Sequence, residues 1–176
     1  MADLFELATR RLRLYAPSRE EVDELLRGER DVLGARIGAA VSEEWWLGPS
    51  LLRLLPKLSE TMAREPGDTR WVWLVIEPIT ARVIGDIGFH GPLRAGETAE
   101  IGYSVVPDVR GYGYTPEAAS ALIDWTFAHT NITQIIAQID PGNAASLRVA
   151  TKLGMQPLPP IALDYLCFCI SRTNAS

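Results

Sequence analysis

The sequence predicts a mixed α/β (α+β) fold, a single mixed sheet of about six or seven strands flanked by about four helices, and three patterns carry that expectation. Period-two alternation at 9–16 and 100–106 interleaves with stretches whose apolar residues recur at helical spacing. Three strand-like runs follow one another between 71 and 106, which makes the first half largely antiparallel. A strand, a glycine turn, a helix and a strand then occur in series from 100 to 139. Such a unit closes as a right-handed parallel crossover, with ligands at the carboxyl ends of its strands.

Taken in order, residues 9–16 alternate apolar and basic positions through Leu12 and Leu14, as a half-buried strand does, and Pro17 ends it. Ser18 followed by Glu21 forms a capping box, after which Val22, Leu25 and Leu26 keep a helical spacing up to Gly28. Residues 29–66 are punctuated by Gly34, Gly38, Gly48, Pro49 and Pro56, yet Leu51, Leu54, Leu55, Leu58 and Met62 still look helical. Pro56 should kink that helix or start it, because an interior proline costs about 3 kcal/mol. Trp45 and Trp46 are adjacent and cannot share one helix face; two partly buried aromatics, or one in the core and one in a groove, both fit.

Residues 71–77 are dense in β-formers and read as a strand covered on both faces, 78–81 as a turn, and 83–89 as an antiparallel partner that Gly85 and Gly88 weaken or bend. A loop over 91–99 leads to the strand 100–106, with Glu100, Gly102 and Ser104 on one face and Ile101, Tyr103 and Val105 on the other, so Tyr103 reads as core. Ala118, Ala121, Leu122 and Trp125 mark a helix running to about His129. A strand at 135–139, a helix from 143 or 144 to 153 closed by Gly154, and strands near 155–158 and 165–171 complete the chain. Lys152 falls in the last turn of its helix, where a cation suits the dipole.

Composition sets the outer bounds. A chain of 176 residues, 47% of them hydrophobic, reads as one domain over 1–176 that needs neither disulfide nor metal staple. A formal charge of −5 gives no reason to expect a nucleic-acid partner. Cys167 and Cys169 face the same way on a strand and read as reduced, buried thiols; further metal ligands are not in sight, so no metal is expected. No signal pattern opens the chain, and no run approaches the roughly 20 apolar residues of a membrane span, so no membrane partner and a cytoplasmic location are expected.

Residues 106–119 (VPDVRGYGYTPEAA) are the densest chemical signal. Gly111 and Gly113 hold a turn open, and Thr115 and Pro116 mark a helix start, so free N–H groups point one way and form a site for anions, above all phosphates. A nucleotide P-loop would need Gly-Lys-Ser/Thr, and a dinucleotide fingerprint would need Gly or Ala at Pro116 and an acidic residue on the next strand; neither fits.

Arg110-Gly111-Tyr112-Gly113-Tyr114-Thr115 resembles the Gln/Arg-x-x-Gly-x-Gly/Ala signature of the GNAT acyltransferase superfamily. Residues 143–155 (NAASLRVATKLGM) resemble the Asn-x-x-Ser helix and Lys-x-Gly-Phe ending of its RimJ/RimL-type branch. Glu100-Ile101-Gly102-Tyr103 is similar to a strand of that branch, and Thr9-Arg10-Arg11-Leu12-Arg13-Leu14 to its opening. The chain departs from the branch at Thr115, in place of Gly or Ala, at Met155, in place of an aromatic, and over 156–176.

The resemblance implies the acyl-CoA N-acyltransferase fold and acetyl-CoA as donor, with no metal. It places the pyrophosphate on backbone N–H groups of Arg110, Gly111, Tyr112, Gly113, Tyr114 and Thr115, the pantetheine amides beside Val105 and Val106, and the pantetheine arm on Asn143. It also implies direct attack of a neutral amine within a ternary complex, with Glu100 as candidate base and Ser146 at the thioester end. The backbone N–H near Val105 or Val106 is the candidate oxyanion donor. His90 could reach an acceptor cleft but reads as a surface or capping group, and His129 suits a helix dipole. The expected acceptor is a protein N-terminal α-amine; a small-molecule amine, or a CoA-binding module without turnover, stays open, and a homodimer is compatible with the branch.

Overall fold

The computed structural model describes residues 6–46, 49–64, 71–91, 93 and 98–172, the side chains of 44, 46 and 49–54 excepted. The opening segment is a hairpin rather than one strand: β1 (Glu6–Ala8) and β2 (Arg13–Tyr15) flank a turn in which the Thr9 amide donates to the Leu12 carbonyl (2.9 Å). The Leu12 amide in turn donates to Thr9 Oγ1 (2.9 Å), so the hydroxyl competes with strand extension and folds the chain back. Helix α1 (Arg19–Arg27) has both bonds of the expected capping box and ends on left-handed Gly28.

The punctuated region divides into α2 (Arg30–Ile37), which ends on left-handed Gly38, the short strand β3 (Ala40–Val41), α3 (Glu43–Trp46) and α4 (Pro49–Arg64). Pro56 lies inside α4 and faces solvent, while Leu55, Leu58 and Met62 pack inward at helical spacing. Burial of those side chains, worth roughly 1.5–3 kcal/mol each, offsets the lost backbone bond. Trp45 is buried, and the Trp46 side chain lies outside the described residues.

Strands β4 (Val72–Glu77), β5 (Arg82–Phe89) and β6 (Thr98–Val105) form the expected antiparallel core, and the β4–β5 register shifts between Val75 and Ile76, opposite Gly85. After a 3₁₀ turn at Pro107–Val109 come α5 (Tyr114–His129), β7 (Gln134–Ile139), α6 (Ala144–Lys152), β8 (Gln156–Leu158) and β9 (Leu166–Ser171). Among the described residues this makes a nine-stranded sheet in the order β1-β2-β4-β5-β6-β7-β9-β8, with β3 set parallel against the start of β5. The strands beyond the expected count are the short β1 and β3, and the helices beyond it are α2 and α3.

One face of the sheet packs on α5, where Trp73 meets Trp125 edge-on with ring centroids 5.3 Å apart. On the other face, Trp45 of α3 reaches Asp86 of β5. No helix among the described residues is long and apolar enough to cross a membrane.

The sheet is discontinuous at one seam. β6 runs parallel to β7 only through Thr98↔Gln134, Ala99↔Ile135 and Glu100↔Ile136. Beyond them β6 pairs only with β5, and β7 only with β9. The two strands therefore part at their carboxyl ends, where a crossover sheet places ligands.

Candidate active site

The ladder shows which backbone groups face the opening. The His90 amide donates to the Glu100 carbonyl and the Val106 amide to the Ile84 carbonyl, both at 2.9 Å. Antiparallel pairs alternate, so the peptide groups of Ile101, Tyr103 and Val105 point away from β5 and into the seam. The Val105 carbonyl confirms the alternation by accepting from Arg110 Nε at 3.3 Å. Val106, expected to offer its backbone, is instead buried: its amide is spent on Ile84 and its carbonyl accepts from Val109 (3.3 Å). Of the two residues expected to offer their backbone, Val105 therefore faces the seam and Val106 does not, and Tyr103 faces it beside Val105.

Past β6 the chain enters the glycine turn. Gly111 (φ 83) and Gly113 (φ 82) are both left-handed, and α5 starts at Tyr114 with Gly113 as N-cap. The helix thus begins earlier than Thr115, and Pro116 sits in the first turn, where its missing N–H costs nothing. The N–H groups of 111–115 have no intramolecular acceptor among the described residues and open beside the seam. Tyr112 is exposed and stacks on Tyr114; what it presents inward is its carbonyl.

That carbonyl is held from below. Arg11 Nη1 donates to it (3.0 Å), Arg11 Nε pairs with Glu117 Oε2 (2.7 Å), and the guanidinium lies 4.4 Å from the centroid of the Tyr114 ring. Glu117 Oε1 also accepts from the Thr9 hydroxyl (2.6 Å) and the Arg11 amide (2.9 Å), and Tyr114 donates to Glu77. The opening hairpin is therefore the clamp of the turn. Its basic spacing was visible in the sequence; the partner of Arg11 was not.

Two clefts meet in the seam. The larger, about 380 Å³, is lined by Val105, Arg110, Gly111, Gly113, Tyr114 and Thr115 on one side and by Asn143, Ser146, Arg148 and Lys152 on the other. It carries three cationic side chains and no carboxylate among its lining residues. Arg148 escaped the sequence reading, and Lys152, assigned there to the helix dipole, faces this cleft one turn from Arg148. The helical i, i+4 spacing was the available signal.

The smaller cleft, about 230 Å³, is lined among others by Asp86, His90, Gln138, Asp140 and Tyr165. Tyr103, Asn143 and Ser146 belong to both clefts. Asn143 caps α6 by accepting the Ser146 amide on Oδ1 (3.0 Å), which leaves Nδ2 as its donor. Tyr103 packs on the core yet turns its hydroxyl to the Ser146 carbonyl (3.5 Å), and burial pushes its pKa up, so it stays a donor.

Glu100 lies beside the second cleft without lining it. Its Oε1 is 3.1 Å from His90 Nδ1 and its Oε2 accepts from Gln138 Nε2 (3.0 Å). The His90 bond, ahead of a smaller contribution from Gln138 and against the opposing effect of burial, holds the carboxyl below its usual range. Asp86 is the carboxylate the sequence analysis passed over. It is buried, bonded through Oδ2 by Trp45 Nε1 (2.9 Å) and Ser104 Oγ (2.7 Å), and burial raises its pKa. An acidic residue between two glycines in an apolar strand was its only mark. No group of three or more His, Cys, Asp or Glu side chains among the described residues could hold a metal ion.

The family model of the acetyltransferase (GNAT) domain matches residues 11–156. An uncharacterized N-acetyltransferase of Bacillus subtilis, YjdG, is 25% identical over 149 residues, 84% of this chain and 88% of its own. The uncharacterized protein YkkB of the same organism is 38% identical over 85 residues, 48% of this chain, so this chain spans about half (49%) of that relative. Among solved structures, the ribosomal-protein-S5-alanine acetyltransferase of Vibrio fischeri superimposes with TM-score 0.64 at 16% identity, over 97% of this chain and 98% of that one. A ribosomal L7/L12 α-N-protein acetyltransferase in complex with coenzyme A superimposes with TM-score 0.62 at 15% identity, over 94% and 96%. At such identity the superpositions speak for the fold.

Proposed function

The chain belongs to the GNAT acetyltransferase family, and we propose that it moves an acetyl group from acetyl-CoA to a primary amine, a protein N-terminal α-amine, by direct attack in a ternary complex. The observation that carries this is the meeting of the two clefts at Tyr103, Asn143 and Ser146. One cleft has the chemistry of a polyanionic donor: cationic walls and a turn of free N–H groups at a helix start. The other has the chemistry of an ammonium: two carboxylates and no lysine or arginine among its lining residues.

In this reading residues 111–115 and Arg110, Arg148 and Lys152 hold the phosphates, Val105 and Tyr103 pair with the pantetheine amides, and Asn143 Nδ2 donates to the same arm. Amide donors of Tyr103 or Val105 in the seam meet the oxyanion as it forms. The Ser146 hydroxyl, at the junction of both clefts, gives the departing thiolate a hydrogen bond. An α-amine with pKa about 8 needs about 1.4 kcal/mol for deprotonation at pH 7, whereas a lysine near 10.4 needs about 4.6. A weak base suffices only for the first.

Thiol release from acetyl-CoA, followed in parallel with a peptide panel of varied free N-termini and with spermidine, free lysine and an aminoglycoside, tests the assignment. Turnover confined to peptides supports it, and turnover confined to small amines replaces it with a small-molecule acetyltransferase. CoA binding without release from any amine sinks the enzymatic role.

A further inference from the structure

We propose that His90 is the group that receives the proton of the attacking ammonium, with Glu100 acting through it as a positioning residue; this rests on the acetyltransferase role above. His90 lines the acceptor cleft beside Gly102 and Tyr103, whereas Glu100 lines neither cleft. The two side chains share a sheet face, and the bond from the His90 amide to the Glu100 carbonyl (2.9 Å) fixes their register.

The geometry selects a tautomer. A carboxylate only accepts, so a neutral His90 carries its proton on Nδ1 toward Glu100 Oε1 (3.1 Å) and keeps the lone pair on Nε2. Gln138 Nε2 holds the other carboxylate oxygen (3.0 Å), so the pair cannot easily rotate apart. Nε2 lies directly over Gly102: a Cβ there would stand 2.6 Å from it, and 3.3 Å from Cδ2. Glycine at 102 is what lets the ring lie on the floor of the cleft. At 46% side-chain exposure the ring also has a route for its proton to solvent.

Among the described residues, the titratable groups around the ring are Glu100 and Tyr103 on β6, Asp86 on β5, Asp140 after β7 and Tyr165 before β9, with Cys167 of β9 beyond Gln138 on the same sheet face; α3 contributes the neutral Trp45. Glu100, held ionised by these bonds, has little proton affinity of its own, and its part is to stabilise the imidazolium.

The ammonium gives one proton to His90 Nε2, which passes it to solvent. The freed nitrogen lone pair forms the C–N bond to the thioester carbonyl carbon. On collapse the C–S bond breaks with its electron pair on sulfur, and the second nitrogen proton ends on that thiolate. Acetylated amine, free CoA thiol and one released proton result.

The chain has two histidines, His90 and His129, so nitrogen NMR of the free protein resolves the tautomer directly, with His129→Gln giving the assignment. Nδ1–H at His90, lost in Glu100→Gln, is expected; Nε2–H overturns the proposal. With the fastest peptide of the panel, His90→Gln should lower kcat about 100-fold and abolish the acidic limb of kcat/KM, while CoA affinity stays within twofold. Gly102→Ala should do the same in part by displacing the ring's far end, and both variants should keep the wild-type circular dichroism. Wild-type turnover together with an unchanged limb in His90→Gln overturns this assignment alone. A wild-type protein that releases no thiol with any amine overturns the acetyltransferase role and this assignment with it.

Discussion

Gly113→Glu probes the proposed donor site at the N-cap of α5. Gly113 has φ 82 and is the N-cap of α5, so any side chain there carries a left-handed penalty of about 1–2 kcal/mol. Space is not the obstacle, because a Cβ would meet only Arg11 Nη2 at 3.6 Å. Gly113→Ala therefore isolates the backbone penalty, and Gly113→Glu adds charge. A carboxylate about 4 Å from one phosphate charge, at an effective dielectric constant near 20, repels it by about 4 kcal/mol. Arg11 is close enough to offset part of this, but it is already paired with Glu117 at 2.7 Å. A net loss near 3 kcal/mol corresponds to roughly 100-fold weaker CoA binding. Calorimetric titration with CoA at low and high salt, beside thermal melts, separates the terms: both variants melt earlier, only the glutamate loses affinity steeply, and salt narrows the gap. Equal CoA affinity in wild type and Gly113→Glu would refute a phosphate site at this turn.

Further expectations follow from neighbouring contacts. Arg11→Ala removes the bond to the Tyr112 carbonyl and the pair with Glu117, and should weaken CoA binding about tenfold while speeding amide exchange at 111–115; unaltered exchange would show that the hairpin does not hold the turn. Arg148→Ala combined with Lys152→Ala should cost roughly 2 kcal/mol of CoA affinity and flatten its salt dependence, checked by the same titration at several ionic strengths. The Val106 amide, bonded to Ile84, should exchange slowly with or without CoA, whereas Tyr103 and Val105 should gain protection when CoA binds; hydrogen exchange read by NMR decides it. Asp86 has its folded pKa raised by burial, so the native state binds more protons than the unfolded chain above about pH 3.9, and stability falls as pH rises from there toward the folded pKa. Asp86→Asn should accordingly raise the melting temperature at neutral pH and lose that advantage near pH 3.5.

What the sequence disclosed and what it withheld divide along physical lines. Local chemistry was legible: Ser18 and Glu21 cap α1, and Gly111 and Gly113 carry the left-handed turn. Each depends on residues within a few positions. The clamp of Arg11 on Tyr112 joins residues 101 apart, and Thr9 reaches Glu117 across 108, so no spacing rule could announce them. The short β3 and the helices cut from 29–46 depend on tertiary pairing, such as Ala40 against Arg82, more than on propensity. Asp86 was hidden for a related reason: a strand position reveals which face it takes, but only the fold shows that Trp45 and Ser104 stand ready to bond it.

The seam between β6 and β7 explains why the reactive groups collect where they do. A parallel pair that continued beyond Glu100 and Ile136 would satisfy the peptide groups of Ile101, Tyr103 and Val105 internally and leave nothing for a ligand. By parting, the strands leave backbone donors and acceptors exposed to the cleft, and a buried group left unpaired costs about 1–3 kcal/mol. The open edge is tolerable because β6 is only partly buried along the seam, and a donor with amides of its own could complete the ladder in place of β7. The parting also places His90 and Glu100: Glu100 is the last paired residue and His90 stands beside it, so the pair proposed to handle the proton sits at the vertex. Tyr103 and Ser146, at the junction of both clefts, face the space beyond that vertex. In the proposed role, a thioester whose pantetheine arm took the place of the missing strand would be directed toward the vertex, within reach of an amine entering from the other cleft.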